Sequence, residues 1–183
     1  LLSRNHEVHV FEADTRIGGH THTVQVDDAS GPVAVDTGFI VFNRPNYPLF
    51  SRLLDYFDVA SQPTSMSFSV RCDRDRLEYN GTSLNCLFAQ RRNLLRPSFY
   101  RMIRGILRFH REGPAVAAVS SNLTVGEFIA QRRYPAEFAR HFLLPMGSAL
   151  WSCPTERFAA FPIQFVAEFM HHHRMLQTNG RPE

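Results

Sequence analysis

A short alternating segment that ends in an acidic residue constrains the fold of this chain more than any other feature. Residues 7–11 read Glu-Val-His-Val-Phe, and such alternation of β-branched or aromatic residues with polar ones is typical of a β-strand. Leu1–Arg4 is interpreted as the end of a helix that leads into this strand, which would end at Glu12. In a dinucleotide-binding βαβ unit, the second strand ends in a carboxylate that accepts hydrogen bonds from the adenosine ribose. The segment therefore favours an α/β fold, although a strand that ends in glutamate is by itself a common pattern.

Two elements that contain glycine follow Glu12. The first is Arg16-Ile17-Gly18-Gly19, and the second is Asp36-Thr37-Gly38. Paired glycines let a backbone approach a ligand closely because no Cβ stands in the way, and the planar fork of an arginine can bind a pyrophosphate. Taken alone, Gly18-Gly19 fits a plain turn better than a ligand site. Combined with Glu12, the two elements indicate a dinucleotide-binding region.

The region between residues 12 and 43 resembles a known family. Residues 12–21, Glu-Ala-Asp-Thr-Arg-Ile-Gly-Gly-His-Thr, are similar to the E-A-x-x-R-x-G-G-R-x-x-T stretch of flavin-containing amine oxidases, phytoene desaturases and protoporphyrinogen oxidases. Residues 35–40 resemble the D-x-G segment that follows in those proteins. The similarity extends to a bacterial subgroup of NAD/FAD-binding, amine-oxidase-like proteins, through residues 66–70, 88–94 and 145–152.

The resemblance implies an α/β protein with a truncated, Rossmann-like FAD-binding portion over residues 1–62. Residues 63–183 would form a substrate domain with a mixed sheet and helices. The implied activity is an FAD-dependent oxidoreductase that transfers hydride to flavin from an organic, lipophilic substrate, with a fatty acyl chain favoured. No residue of this stretch is identified as a catalytic acid or base.

The same resemblance implies which residues bind the cofactor. Glu12 would contact the ribose, Arg16 would lie near the phosphates, and the glycine pair would pass under the pyrophosphate and the flavin edge. His20 departs from the family, which has arginine there, and a neutral imidazole lacks the permanent charge of a guanidinium. The full predicted set is Glu12, Ala13, Arg16, Gly18, Gly19, His20, Thr21, Gly38, Phe39 and Ile40.

The glycine fingerprint GxGxxG would lie about 20 residues before Glu12, which is before Leu1. We therefore expect the 183-residue chain to bind FAD weakly and to be inactive by itself. The alternative is a non-redox relic of a flavoprotein that binds a membrane surface or a protein partner. Its support is a row of arginines on a predicted helix, which would allow peripheral membrane contact, although such a row is more often a solvated face. The four are Arg101, Arg104, Arg108 and Arg111.

The composition excludes several other classes. All 20 basic residues are arginine, the net charge is only +3, and the arginines are otherwise scattered, so no nucleic-acid partner is expected. The cysteines, Cys72, Cys86 and Cys153, are few and far apart, which indicates a reducing cytoplasm rather than a disulfide framework. His20 and His22 lie on one strand face, and the triplet at 171–173 cannot converge on one ion, so no metal site is predicted.

Periodicity and capping signals predict the remaining elements. Strands are expected over residues 21–26, 33–35, 66–72 and 76–79, with turns at 27–31 and at Asn80-Gly81. Helices are expected over residues 47–57, 97–111, 124–133 and 162–176, with Pro135 and Pro162 at first helical positions and a stop at Asn179-Gly180.

Overall fold

A computed structural model describes residues 1–38, 41–64, 67–119, 122–173 and 175–176. The chain divides into two units, Leu1–Val59 and Ala60–Glu183. Their assignment as cofactor and substrate domains stays a prediction.

The first unit contains one β-hairpin and one helix. Strands β1 (Thr23–Asp28) and β2 (Gly31–Asp36) pair antiparallel, with Thr23 opposite Asp36 and Asp28 opposite Gly31. The turn between them uses Gly31 at φ 116°, a conformation that residues with a Cβ rarely adopt. Helix α1 spans Pro48–Tyr56, and a single 3₁₀ turn spans Leu2–Arg4. This confirms the predicted hairpin and the predicted helix near residues 47–57.

The strand predicted over residues 7–12 is wrong. These residues have no regular secondary structure, and Val10 and Phe11 are 83% and 93% exposed. A strand depends on hydrogen bonds to a neighbouring strand, and within the described part of the chain no segment pairs with this one. The described residues form two antiparallel hairpins, so a mixed α/β fold is established and a Rossmann-like sheet is not confirmed.

The second unit begins with another hairpin and continues as helices. Strands β3 (Ser69–Cys72) and β4 (Leu77–Asn80) pair antiparallel. The first residue of the strand predicted over residues 66–72 lies outside the described residues. The helices are α2 (Leu84–Leu87), α3 (Pro97–Ala118), α4 (Val125–Gln131), α5 (Ala136–Phe138), α6 (Leu144–Leu150), α7 (Thr155–Ala159) and α8 (Ile163–His172). A 3₁₀ helix covers Arg91–Leu95, and a π-helical turn covers Ala139–Leu143.

The three helices predicted in this unit are confirmed, with different ends. Helix α3 continues to Ala118 through Pro114. The predicted capping box is present, because the Thr124 side chain accepts from the Glu127 N–H while the Glu127 carboxylate accepts from the Thr124 N–H. Pro135 and Pro162 stand one residue before the first helical residue rather than at it. The predicted stop at Asn179-Gly180 lies outside the described residues.

Phenylalanine side chains build the core of the second unit. Helix α3 packs against α8 and α5, and the rings of Phe109, Phe138 and Phe158 are fully buried. Two glycines allow close packing here: a Cβ on Gly105 would lie 2.5 Å from Phe138 Cβ, and one on Gly147 would lie 2.0 Å from Phe158 Cζ. Among the helices of the described residues, none is both long and apolar enough to cross a membrane.

Candidate functional site

The glycine pair forms a tight, exposed turn. Gly18 has φ 110° and Gly19 has φ 57°, so both occupy the region that favours glycine. The N–H and the hydroxyl of Thr21 donate to the Gly18 carbonyl, at 3.1 and 2.5 Å. The backbone therefore reverses direction at the residues that the motif predicts for cofactor contact.

The guanidinium of Arg16 holds this turn together. Its Nη1 donates to the Thr21 carbonyl and its Nη2 donates to the Gly19 carbonyl, both at 2.7 Å. Hydrogen bonds from an ionised donor are stronger than neutral ones, and the Arg16 side chain is half-buried. The observed role of Arg16 is to order the turn, while its predicted contact with phosphate stays a prediction.

The β1–β2 hairpin brings the second glycine element back to the first. An added Cβ on Gly38 would lie 1.6 Å from the His20 carbonyl oxygen, so the two backbones touch there. The N–H and hydroxyl of Thr37 donate to the His22 carbonyl at 2.7 and 2.9 Å. Residues 16–21 and Gly38 consequently form one continuous backbone surface, although they are separated in sequence.

Sequence reasoning did not assign a role to Thr37 or to the pair Thr23 and Asp36. The hydroxyl of Thr23 donates to the Asp36 carboxylate at 2.6 Å and fastens the open end of the hairpin. The signal was available, because a hairpin centred on residues 29–30 places Thr23 and Asp36 directly opposite each other.

The structure places the other predicted site residues less favourably. The Glu12 carboxylate accepts a hydrogen bond from the Asp14 N–H at 3.0 Å, and Glu12 and Ala13 lie in an exposed irregular segment. The predicted position of Glu12 at a strand end is therefore wrong. Phe39 and Ile40 lie outside the described residues.

The turn nevertheless fits a dinucleotide. A Cβ added to Gly19 would meet nothing within 4 Å, so its backbone is open to a ligand. The positive charge of Arg16 lies beside this backbone and favours an anion, and the exposed Glu12 carboxylate can still accept hydrogen bonds from hydroxyl groups. Arg16 thus suits a phosphate, Glu12 suits the ribose hydroxyls, and the open backbone at Gly19 allows a ligand to approach closely.

A model of the family described as flavin containing amine oxidoreductase matches residues 1–180. The chain belongs to this family. Membership confirms the resemblance inferred from residues 12–43. It identifies the protein as an oxidoreductase, and FAD is the cofactor consistent with this family. No curated protein matches the sequence.

Two surface hollows lie among the described residues of the second unit. One, of about 460 Å³, combines apolar and basic side chains; it is lined by Leu94, Leu95, Pro97, Tyr100, Arg101 and Arg104. The other, of about 480 Å³, lies beside α4, α5 and the π-helical turn. Leu95 is 89% exposed and its neighbour Leu94 is 46% exposed, so the first hollow presents adjoining apolar groups to solvent.

The arginine row on α3 is partly engaged in ion pairs. Arg101 donates to the Glu137 carboxylate, and Arg108 donates to Glu112, which is four residues ahead on the same helix. Arg104 and Arg111 are exposed and lie within 4 Å of no carboxylate in the described part of the chain. Half of the row is therefore engaged in ion pairs and half is open to solvent, and of the open half Arg104 lies beside Leu94 and Leu95.

Proposed function

We propose that this chain carries part of the flavin-binding surface of an FAD-dependent oxidoreductase that removes hydride from an organic, lipophilic substrate. The observation that supports this most strongly is the contact between Gly38 and the His20 carbonyl. That contact unites the two glycine elements, which the family motif assigns to one cofactor site. Flavin supplies the hydride-accepting chemistry when it is bound, and the protein binds, orients and excludes water.

The residues of the turn would have different roles in cofactor binding. Gly18 and Gly19 offer backbone without side chains to the pyrophosphate, while Arg16 holds the carbonyls of Gly19 and Thr21 in place. Because the turn is ordered before the ligand arrives, binding loses less conformational entropy. His20 contributes its backbone carbonyl to the junction with Gly38, so that contribution does not depend on the side chain that replaces the family arginine.

The lipophilic character of the substrate is supported by the hollow beside Leu94 and Leu95. Its apolar lining would bind a hydrocarbon chain, and the Arg104 guanidinium would donate hydrogen bonds to an anionic end group such as a carboxylate. A fatty acyl compound has both features. Consumption of fatty acyl compounds by the flavin-loaded enzyme, compared with aliphatic amines of equal chain length, tests this part of the proposal.

The cofactor proposal is tested with the Gly38→Ala variant of the full-length protein. The added methyl group cannot fit beside the His20 carbonyl, so the two elements must separate and flavin retention after desalting should fall at least about tenfold, which corresponds to about 1.4 kcal/mol. Gly31→Ala is the matched control, because it strains the same hairpin away from the motif and its Cβ would meet no atom within 4 Å. Equal flavin absorbance in Gly38→Ala and the parent protein would refute the assignment.

A second candidate function is peripheral binding to an anionic membrane without redox activity. Its support is the exposed Leu95 beside Arg104, a combination that binds lipid surfaces. Sedimentation with vesicles that contain phosphatidylserine, together with the flavin content of the protein, separates the two functions. Vesicle binding by a flavin-free gene product would favour the second function, and flavin retention without vesicle binding would exclude it.

A further inference from the structure

Three metal-ligating side chains converge in the second unit, two from one hairpin and the third from a distant part of the sequence. Cys72 ends strand β3, Asp75 lies in the turn before β4, and His141 lies on the π-helical turn Ala139–Leu143. His141 Nε2 is 3.1 Å from Asp75 Oδ2, and Cys72 Sγ is 3.8 Å from the same oxygen. All three ligand atoms lie within 4.8 Å of one another.

These separations are close to those of a tetrahedral zinc site. Zinc binds nitrogen and oxygen at about 2.0–2.2 Å and thiolate sulfur at about 2.3 Å, so neighbouring ligand atoms stand about 3.3–3.7 Å apart. The observed nitrogen–oxygen and sulfur–oxygen distances lie just outside that interval, on opposite sides. Side-chain adjustments of a few tenths of an ångström would bring these two pairs to zinc-binding geometry.

His141 is prepared for ligation by its surroundings. Its side chain is buried and its Nε2 lies 3.1 Å from the Asp75 carboxylate, so packing already holds the ring beside the other two ligands. The buried Tyr79 hydroxyl donates to the His141 backbone carbonyl at 2.7 Å and fixes this turn against strand β4. A ligand held in place by packing loses little freedom when a metal binds.

Two arginines compete for the same carboxylate. Arg74 Nη2 is 3.4 Å and Arg140 Nη1 is 3.7 Å from Asp75 Oδ2. Their side chains are 68% and 53% exposed, so both can turn into solvent when a cation arrives. A thiolate at Cys72 and a carboxylate at Asp75 balance the two charges of a divalent ion, but the arginines should weaken its binding.

We propose that Cys72, Asp75 and His141 form a zinc site in which water completes the coordination. Thiolate and imidazole select zinc over magnesium or calcium, which prefer oxygen ligands. The ion would tie the β3–β4 hairpin to the π-helical turn at residues 139–143. The site is independent of the flavin-binding turn and adds to the proposed oxidoreductase function.

Cobalt is a suitable probe, because a Co²⁺–thiolate bond absorbs in the near ultraviolet. The reduced, full-length protein should bind one equivalent of Co²⁺ with this absorption, and one equivalent of Zn²⁺ should displace it. Cys72→Ser should remove the absorption and weaken Zn²⁺ binding at least about tenfold. Cys86→Ser and Cys153→Ser are matched controls, since both cysteines are also free and half-buried, and they should leave binding unchanged.

A second pair of variants tests the role of charge. Asp75→Asn should weaken Zn²⁺ binding, whereas Arg140→Gln should strengthen it several-fold by removing a competing cation. Absence of the Co²⁺–thiolate absorption in the parent protein, or its survival in Cys72→Ser, would overturn the proposal. If Cys72→Ser does not fold, the paramagnetic shift of the His141 ring protons in the Co²⁺-loaded parent protein decides instead, and unshifted protons would overturn the proposal.

Discussion

In the unit Leu1–Val59, hydrogen bonds between exposed groups hold the backbone, whereas in Ala60–Glu183 buried aromatic rings hold it. Among the described residues of the first unit, only Ser51 is buried, and Phe11 is 93% exposed. In the second unit, the ring of Phe109 is fully buried and packs against the rings of Phe128, Tyr134 and Phe138. The glycine turn at residues 16–21 is therefore held by hydrogen bonds between nearby groups and not by buried side chains.

The largest effect on stability is expected when a buried phenylalanine of the second unit is replaced. Phe109→Ala would leave a cavity among three aromatic side chains and should lower the free energy of unfolding of the second unit by about 3–5 kcal/mol. Phe11→Ala, at an exposed position, should change stability by less than about 0.5 kcal/mol. Urea unfolding followed by circular dichroism measures both. A large effect of Phe11→Ala would mean that residues 7–12 are packed in the folded protein.

A smaller loss is expected at Gly147, where an added methyl group would overlap the ring of Phe158. Gly147→Ala should destabilise the protein by about 1–3 kcal/mol through overpacking, even though alanine favours helices. Gly126→Ala is the control, since its Cβ would come no closer than 3.4 Å to another group; it should change stability by less than about 1 kcal/mol. Similar thermal midpoints for the two variants would contradict the tight packing of α6 on Phe158.

The pH dependence of stability should show the stabilising contribution of the ionised Glu112 carboxylate. Burial tends to raise the pKa of this carboxyl, but hydrogen bonds from Arg108 and Tyr134 outweigh burial and lower it below the usual range. Since the folded-state pKa is depressed, the stabilisation is present above the unfolded pKa of about 4.3 and is lost as the pH falls through the folded value.

Glu112→Gln should therefore destabilise the protein by about 1–2 kcal/mol at pH 7 and by less near pH 3. The measurement is urea unfolding at both pH values, with the exposed Glu156→Gln as the reference. An equal loss at both pH values would show that the ionised form of Glu112 is not what stabilises this contact.

The smallest effect on stability is expected at Arg16. Arg16→Ala removes the hydrogen bonds to Gly19 and Thr21, yet it should change the unfolding of the second unit by less than about 0.5 kcal/mol. Flavin retention by the full-length protein should nevertheless fall about tenfold, because the turn is no longer ordered. Arg44→Ala, which removes an exposed ion pair with Asp55 in the same unit, should keep its flavin. Unchanged retention in Arg16→Ala would separate turn order from cofactor binding.

Local features were predictable from the sequence because their signals lie within a few residues of one another. The apolar spacing of α3, the capping box at Thr124 and Glu127, and the turn of the first hairpin all act within one helical turn or one β-turn. The motif over residues 12–43 likewise indicated the family that the match over residues 1–180 establishes. Each of these is a property of neighbouring residues, so the amino-acid order alone determines it.

Tertiary structure decided what depends on distant partners. The alternation at residues 7–11 produced no strand, because a strand needs hydrogen bonds from a neighbouring segment and no described segment supplies them. The contact of Gly38 with His20 exists because the β1–β2 hairpin folds the chain back on itself. The convergence of Cys72 and Asp75 on His141 arises from packing of the π-helical turn beside the second hairpin, and no sequence spacing encodes that arrangement.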